Sequence, residues 1–383
     1  MPFSRNEIER RQNAVRAKLE DDQAFVAFSF TGAYYFSGAP IVHWGRPAIC
    51  VVPKSDPAFY VVSALEASRL ASLGHVADIS QYQDPDGPNL PVAISQVAKR
   101  LEQLGIRSIL VDGAMATFAD VEHLRARCPD IEIADGSNIL NVLRLILSGE
   151  EIAYVRAAVE VSDVGVEAFL ATAKIGEAES TLAARSSQAM ADYAAATFPE
   201  IETGIRCYSQ QGLRTLEPHS GTSGAPLEAG HLLQIVIEAS AWHYMSAVER
   251  TIALGDLPAA HDAYYNTLVE AHEAAVAEVA PNAPCSAPYN AAGAVFAREG
   301  YDAPAAGAGL QRGVVNEWEG RLPEGDMRPY NNEPFKSGMV VTVEPYTFVD
   351  GVGASRHCDM VLVTEDGQER LSKSPTGRLA ISV

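Results

Sequence analysis

The stretch HLLQIVIEASAWHYMSAVERTIALG, residues 231–255, decides the fold class of the second half of the chain. Its two apolar runs are separated by a short turn segment, which predicts a pair of antiparallel strands. A second pair follows in GMVVTVEPYTFV (338–349) and CDMVLVTEDG (358–367). Long alanine-rich helical patterns lie apart from these pairs, around residues 151–173, 178–195 and 258–280. Helices set apart from antiparallel strands predict an α+β domain.

The first half of the chain has a different pattern. A charged amphipathic helix is predicted from about Arg5 to Leu19. Short β-rich runs then alternate with helical patterns such as LPVAISQVAKRLEQLG (90–105); these runs are QAFVAFSF, AICVVP, AFYVVS and SILVDG. The alternation predicts an α/β domain. A long helical pattern starts at Gly149, so we expect an N-terminal domain over residues 1–148 and a second domain over 149–383.

The composition is that of an ordinary globular protein, with 47% hydrophobic and 20% charged residues among 383. A net charge of −20 would repel phosphate backbones and anionic lipids, so neither nucleic acid nor a membrane is expected as a partner. No apolar run is long enough for a membrane span or suggests a signal peptide, and we expect a cytoplasmic protein. The five cysteines form no CxxC motif, which argues against a zinc ribbon.

Several ionisable residues lie inside or beside the apolar strands of the second half. They are His219, Glu238, Glu249 with Arg250, Glu344, and His357 with Cys358 and Asp359. A buried unpaired charge costs several kcal/mol, so the carboxylate in VVTVEPY must be paired, metal-bound or protonated. Each residue alone would fit a strand edge that faces water. Their grouping in one domain indicates a shared pocket.

The order of these segments resembles the creatinase and aminopeptidase P family over nearly the whole chain. The resemblance implies the pita-bread fold for the C-terminal catalytic domain. In the metallopeptidase branch of that family, five ligands hold two metal ions. The corresponding positions here are Val236, Ala247, Leu310, Glu344 and Cys358. Valine, alanine and leucine do not coordinate divalent cations, so the resemblance favours the metal-free creatinase branch, with no metal and no cofactor.

The resemblance to creatinase also implies roles for individual residues. HWGRP resembles the loop that carries a carboxylate-binding arginine, which places that role on Arg46. His219 takes the position of the catalytic histidine, and SAVERT places a substrate-binding glutamate on Glu249. Arg321 takes the position of the second carboxylate-binding arginine, and Glu344 that of the second glutamate.

This set of residues predicts a small zwitterionic substrate. Two carboxylates without a metal favour a planar cation such as guanidinium or amidinium, and two arginines clamp a carboxylate. His219 has the side-chain type whose pKa lies nearest neutrality, so it is expected to shuttle the proton. The expected function is therefore a metal-independent amidinohydrolase. It would cleave a C–N bond, but not a peptide bond, in a small carboxylate bearing a guanidino, ureido or amidine group.

Three departures from creatinase leave the substrate open. Leu310 and Cys358 stand where the resemblance implies further histidines, so Cys358 would line the substrate pocket in their place. His357 is one residue away from such a position, but adjacent side chains on a strand point to opposite faces. Glu238 has no counterpart and lies on the same strand face as Val236, so its carboxylate is expected in the same pocket.

Two other functions remain open from the sequence. One is an ectoine-type hydrolase that opens a cyclic amidine, and the other is a non-catalytic binding protein on the same fold. The resemblance also implies a homodimer, in which Arg46 reaches the active site of the neighbouring subunit. Trp44 beside Arg46 fits such an interface, because aromatic residues and arginine are enriched in interface cores.

Overall fold

The computed structural model describes residues 1–304, 309–312 and 323–382. The chain forms two compact units that divide between Arg144 and Leu145. The division predicted from the sequence lies a few residues later, where the long helix beginning at Gly149 starts.

The first unit is a mixed sheet with helices. Its helices are α1 (Arg5–Arg16), α2 (Phe30–Ser37), α3 (Ala64–Leu73), α4 (Asn89–Gln103), α5 (Phe118–Arg127) and α6 (Ser137–Leu145). Its strands are β1 (Gln23–Ala27), β2 (Ile49–Pro53), β3 (Phe59–Ser63), β4 (Asp78–Tyr82), β5 (Ser108–Val111) and β6 (Glu132–Asp135). The strand order is β4-β3-β2-β1-β5-β6. Pairing is antiparallel within β1-β2-β3 and parallel elsewhere.

The sheet of this unit is covered on both faces. Successive residues of β3 belong to different apolar clusters, with Tyr60 and Val62 in one and Phe59 and Val61 in the other. Strands buried on both faces need continuous apolar runs, which is why AFYVVS and AICVVP lack polar alternation. These observations confirm the predicted α/β N-terminal domain.

In its described residues, the second unit contains two four-stranded sheets and four long helices. The helices are α7 (Gly149–Thr172), α8 (Glu179–Thr197), α9 (Ala259–Ala277) and α10 (Ala287–Arg298). The strands are β7 (Thr203–Gln211), β8 (Leu232–Ala241), β9 (Tyr244–Leu254), β10 (Gly309–Arg312), β11 (Val340–Val343), β12 (Asp359–Val363), β13 (Gln368–Arg370) and β14 (Leu379–Ile381). The sheet orders are β14-β9-β8-β7 and β10-β11-β12-β13.

Both strand pairs predicted for this unit are present and antiparallel, β8 with β9 and β11 with β12. Helix α7 begins with a capping box, in which Ser148 and Glu151 each accept the other's backbone N–H. It packs closely on the sheet at Gly165, where an added Cβ would lie 2.7 Å from a methyl carbon of Ile237. The α+β prediction is confirmed. None of the described helices is long and apolar enough to cross a bilayer.

Candidate active site

One face of the β8-β9 pair carries the polar residues of the site. Gln234 pairs with Thr251, Val236 with Glu249, and Glu238 with Ala247. Because side chains alternate along a strand, these six residues share one face of the sheet. Glu249 is therefore flanked along β9 by Ala247 and Thr251 and lies opposite Val236 on β8.

The segment before β12 lies against this face. Glu249 and Cys358 form an isolated β-bridge, with N···O distances of 3.1 and 3.0 Å. The fully buried guanidinium of Arg250 donates to the carbonyl oxygens of Glu249 and Cys358, each at 2.8 Å. Arg250 also forms a 2.7 Å ion pair with Asp359. These contacts fix the second sheet to the first at the position of Glu249.

Gln234 and Thr251 hold Arg356 in place through its backbone. The backbone N–H of Arg356 donates to Oε1 of Gln234 at 2.6 Å. The hydroxyl of Thr251 donates to the carbonyl oxygen of Arg356 at 2.9 Å. Nε2 of Gln234 donates to Oε2 of Glu249 at 3.1 Å. One buried amide side chain therefore positions both the glutamate and the arginine.

The side chain of Arg356 forms a buried ion pair with Glu249. Its Nε lies 2.5 Å from Oε2 of Glu249, and its Nη2 donates to Oε1 at 3.2 Å. Both side chains are 5% exposed. Burial acts to lower the pKa of Arg356, but the charges of Glu249 and Glu344 raise it overall. The guanidinium also lies over the ring of Tyr346, 5.4 Å from its centre, a cation–π distance.

Glu344 and Cys358 complete a group that we term the central cluster, consisting of Glu249, Glu344, Arg356 and Cys358. A carboxylate oxygen of each glutamate and the sulfur of Cys358 lie within 4.8 Å of one another. Burial raises the pKa of Glu249 above its ordinary value; Arg356 opposes this rise and Glu344 adds to it. Glu344 is only half-buried, and within the described residues its carboxylate accepts no hydrogen bond.

Glu238 lies on the same face, at the edge of the central cluster. It pairs across the strands with Ala247, two residues before Glu249, and its charge contributes to the raised pKa of Glu249. Arg206, its neighbour on β7, forms an ion pair with it at 3.3 Å. Glu238 and Glu249 therefore share one face of the sheet, as expected, and Glu238 has an arginine partner there.

His357 points away from the central cluster. Its side chain is fully buried, and its Nδ1 accepts the backbone N–H of Thr251 at 3.2 Å. Its ring contacts those of Tyr265 and His272. Burial, the first cause, and the neighbouring His272 and Arg250 lower the pKa of His357 well below its ordinary value. The residue therefore does not replace a histidine of the site by a one-residue shift.

His219 lies in a loop that is attached to the same sheet. The residue is exposed and makes no hydrogen bond or ion pair within the part of the chain that the structure describes. Gln210 of β7 binds this loop by donating to the carbonyl oxygen of Glu217 at 3.0 Å and to the hydroxyl of Ser220 at 2.9 Å. Gln210 is the cross-strand neighbour of Gln234. The loop is thus anchored beside the residue that holds Glu249, and the role of His219 stays a prediction.

The roles expected for the two carboxylate-binding arginines stay predictions. Arg46 lies in the first unit and forms an ion pair with Asp84 at 2.6 Å. Arg321 lies outside the described residues. Strand β10 includes Leu310, whose backbone pairs with Thr342 of β11.

Comparisons with known proteins agree with this architecture. Residues 11–146 match the creatinase/prolidase N-terminal domain, and residues 153–365 match metallopeptidase family M24. A Xaa-Pro dipeptidase of Pyrococcus furiosus is 27% identical over 96% of this chain and 98% of its own. A creatinase of a Bacillus species is 25% identical over 98% and 92%. The Pyrococcus horikoshii prolidase structure, 22% identical, superimposes with a TM-score of 0.81 over 97% and 99% of the two chains. The pita-bread architecture is confirmed.

These comparisons overturn the expected function. The prediction of a metal-independent amidinohydrolase is wrong. Two of the most similar relatives are Xaa-Pro dipeptidases, and the family that matches the catalytic domain is a family of metallopeptidases. Assignment to the metal-free creatinase branch is likewise not supported. The structure gives a physical reason. Glu249 was expected to bind the guanidinium of a substrate, but it already binds the guanidinium of Arg356.

The family name implies a metal, and the donor side chains of this chain fit it only in part. Among the described residues, the central cluster provides three donor side chains that could reach one ion. Val236 and Ala247 provide no donor at two positions implied by the resemblance, and both are buried. The cation of Arg356 already lies 2.5 Å from one of the three donors. The residues present therefore do not fit a two-metal centre.

Arg356 and Gln234 were not among the site residues predicted from the sequence. Both were detectable from strand alternation, since Arg356 lies two residues before Cys358 and Gln234 two residues before Val236. Residues at such spacing share a face with positions that the resemblance had already placed in the site. The resemblance implied roles only for the known ligand positions and not for their neighbours.

Proposed function

Because the chain is a hydrolase belonging to metallopeptidase family M24, we propose that it hydrolyses the amide bond of a dipeptide-sized substrate. The similarity to Xaa-Pro dipeptidases over nearly the full length of both chains supports this class of substrate. Dipeptides with proline in the second position are therefore the first candidates.

The observation that carries the proposal is that one of the two glutamates has hydrogen-bond partners among the described residues and the other has none. Glu249 is held by Arg356 and Gln234 and has both carboxylate oxygens in hydrogen bonds. Glu344 accepts none within the described residues and is only half-buried. A guanidinium substrate would need both carboxylates, whereas water attack on an amide needs one open carboxylate as base.

In this proposal the two glutamates have separate tasks. Glu344 accepts a proton from the water that attacks the carbonyl carbon, and the same proton then goes to the leaving nitrogen as the C–N bond breaks. Glu249 keeps Arg356 fixed next to Glu344. The low polarity around the buried pair strengthens its electrostatic effect on the reacting atoms.

The test is a substrate panel that separates amide from amidine hydrolysis. Purified protein is incubated with Ala-Pro, Gly-Pro, Ala-Ala and creatine, each with and without added divalent metal ions. The products are measured as free amino acids and urea by chromatography. We expect the protein to release proline from at least one X-Pro dipeptide. This activity should co-elute with the protein in size-exclusion chromatography. Urea from creatine without amide hydrolysis of any dipeptide would contradict the proposal.

A further inference from the structure

One nitrogen of the Arg356 guanidinium lacks a partner among the residues that the structure describes. Nε and Nη2 bind Glu249, but Nη1 has no hydrogen-bond acceptor within the described residues. The atom is buried, and the residue is 4% exposed. A buried donor without an acceptor is costly, so such a group in a native protein calls for an explanation.

The surroundings of Nη1 select the kind of oxygen that it can bind. The central cluster holds one guanidinium and two carboxylates, so its charge is negative when both glutamates are ionised. A carboxylate ligand would be repelled by Glu249 and Glu344. A neutral carbonyl oxygen avoids this repulsion and still gains a charge-assisted hydrogen bond from the guanidinium.

We infer that Nη1 of Arg356 donates to the carbonyl oxygen of the bond that is cleaved, so that Arg356 is a catalytic residue. This inference rests on the proposed function. Negative charge develops on that oxygen when water attacks, and a fixed cationic donor stabilises it more in the transition state than in the ground state. Glu249 and the ring of Tyr346 hold the guanidinium in the required orientation.

The experiment measures binding and turnover separately. In a Glu344→Gln background, where the dipeptide is consumed at least about a hundredfold more slowly, calorimetry compares Ala-Pro with its thioamide analogue, whose sulfur is a weak acceptor. We expect Ala-Pro to bind roughly ten- to a hundredfold more tightly, as a hydrogen bond to a charged donor implies. Adding Glu249→Gln and Arg356→Gln together should abolish the preference, and this pair leaves no unpaired buried charge. An Arg356→Lys variant, which keeps the charge but lacks Nη1, should lose it as well.

The outcomes are distinguishable. An unchanged preference in both Arg356 variants, an equal affinity for the two ligands, or no binding of Ala-Pro would each overturn the inference. Proline release by the enzyme with an intact Glu344, without an Arg356-dependent preference, would overturn the inference alone. An Arg356-dependent preference without proline release would overturn the proposed function and the catalytic role of Arg356, and would leave only carbonyl binding by Nη1. Thermal unfolding followed by circular dichroism establishes that each variant is folded.

Discussion

The ion pair between Glu249 and Arg356 predicts a large coupling in stability. Both side chains are 5% exposed, and the shortest N···O distance is 2.5 Å. Removing one partner leaves the other charge buried, which costs about 3–5 kcal/mol. Arg356→Gln and Glu249→Gln should each lower the free energy of unfolding by this amount. The loss in the double variant should be about 2–4 kcal/mol smaller than the sum of the two single losses.

A surface ion pair in the same unit is a matched control. Arg156 and Glu369 also form two hydrogen bonds, both at 2.6 Å, but each side chain is 45% exposed. Exposed ion pairs have coupling energies of about 0.2–1 kcal/mol. A double-mutant cycle with Arg156→Gln and Glu369→Gln should therefore show little coupling.

The assay is thermal unfolding by calorimetry at neutral pH. For a unit of this size, about 2–4 °C of Tm corresponds to 1 kcal/mol, so each single variant at the buried pair should lose about 6–20 °C. Single variants within about 2 °C of wild type would refute the reasoning, and so would a coupling no larger than that of Arg156 and Glu369. Either result would mean that Glu249 and Arg356 are hydrated or unpaired in solution.

Three further predictions concern pH, metal content and assembly. Burial raises the pKa of Asp112 to about 6 from an ordinary value of 3.8, so its contribution to stability is present below 3.8 and is lost as pH rises through 6. The N-terminal unit should therefore lose about 2 kcal/mol between pH 4 and 8, and Asp112→Asn should remove that dependence; equal pH profiles of the wild type and the variant in denaturant unfolding would contradict the assignment. Elemental analysis of the purified protein is expected to give at most one transition-metal ion per chain, because three donors converge at one place in the described residues, and two tightly bound ions would show this to be wrong. If Arg46 completes the site of a neighbouring subunit and the Arg46→Ala and His219→Ala chains are each inactive alone, mixing them should restore up to about a quarter of wild-type activity, whereas no recovery from demonstrated heterodimers would refute a shared site.

The strands and helices were predictable because their local signals agree with the final packing. The β8-β9 and β11-β12 pairs lie where apolar runs and turns placed them, and α7 begins at the predicted Gly149. Such patterns reflect burial on one or both faces of an element, which a sequence shows directly.

The chemistry of the site was less predictable, because it depends on pairing between distant segments. Glu249 and Glu344 were expected to share a pocket, and the structure places a carboxylate oxygen of one within 4.8 Å of a carboxylate oxygen of the other. The partner of Glu249 comes from Arg356, more than a hundred residues later, and no periodicity links the two. The two carboxylates were assigned to a cationic substrate because their cationic partner within the chain, Arg356, was not predicted.

The measurement that tests the central claim most directly is the turnover of Ala-Pro by two matched glutamate variants. Glu344→Gln removes the open carboxylate of the central cluster, and Glu365→Gln removes an exposed one in the same unit. Because a general base contributes roughly a hundred- to ten-thousandfold to rate, kcat should fall by at least about a hundredfold in the first variant and stay near wild type in the second. Equal kcat values in Glu344→Gln and Glu365→Gln would contradict the account.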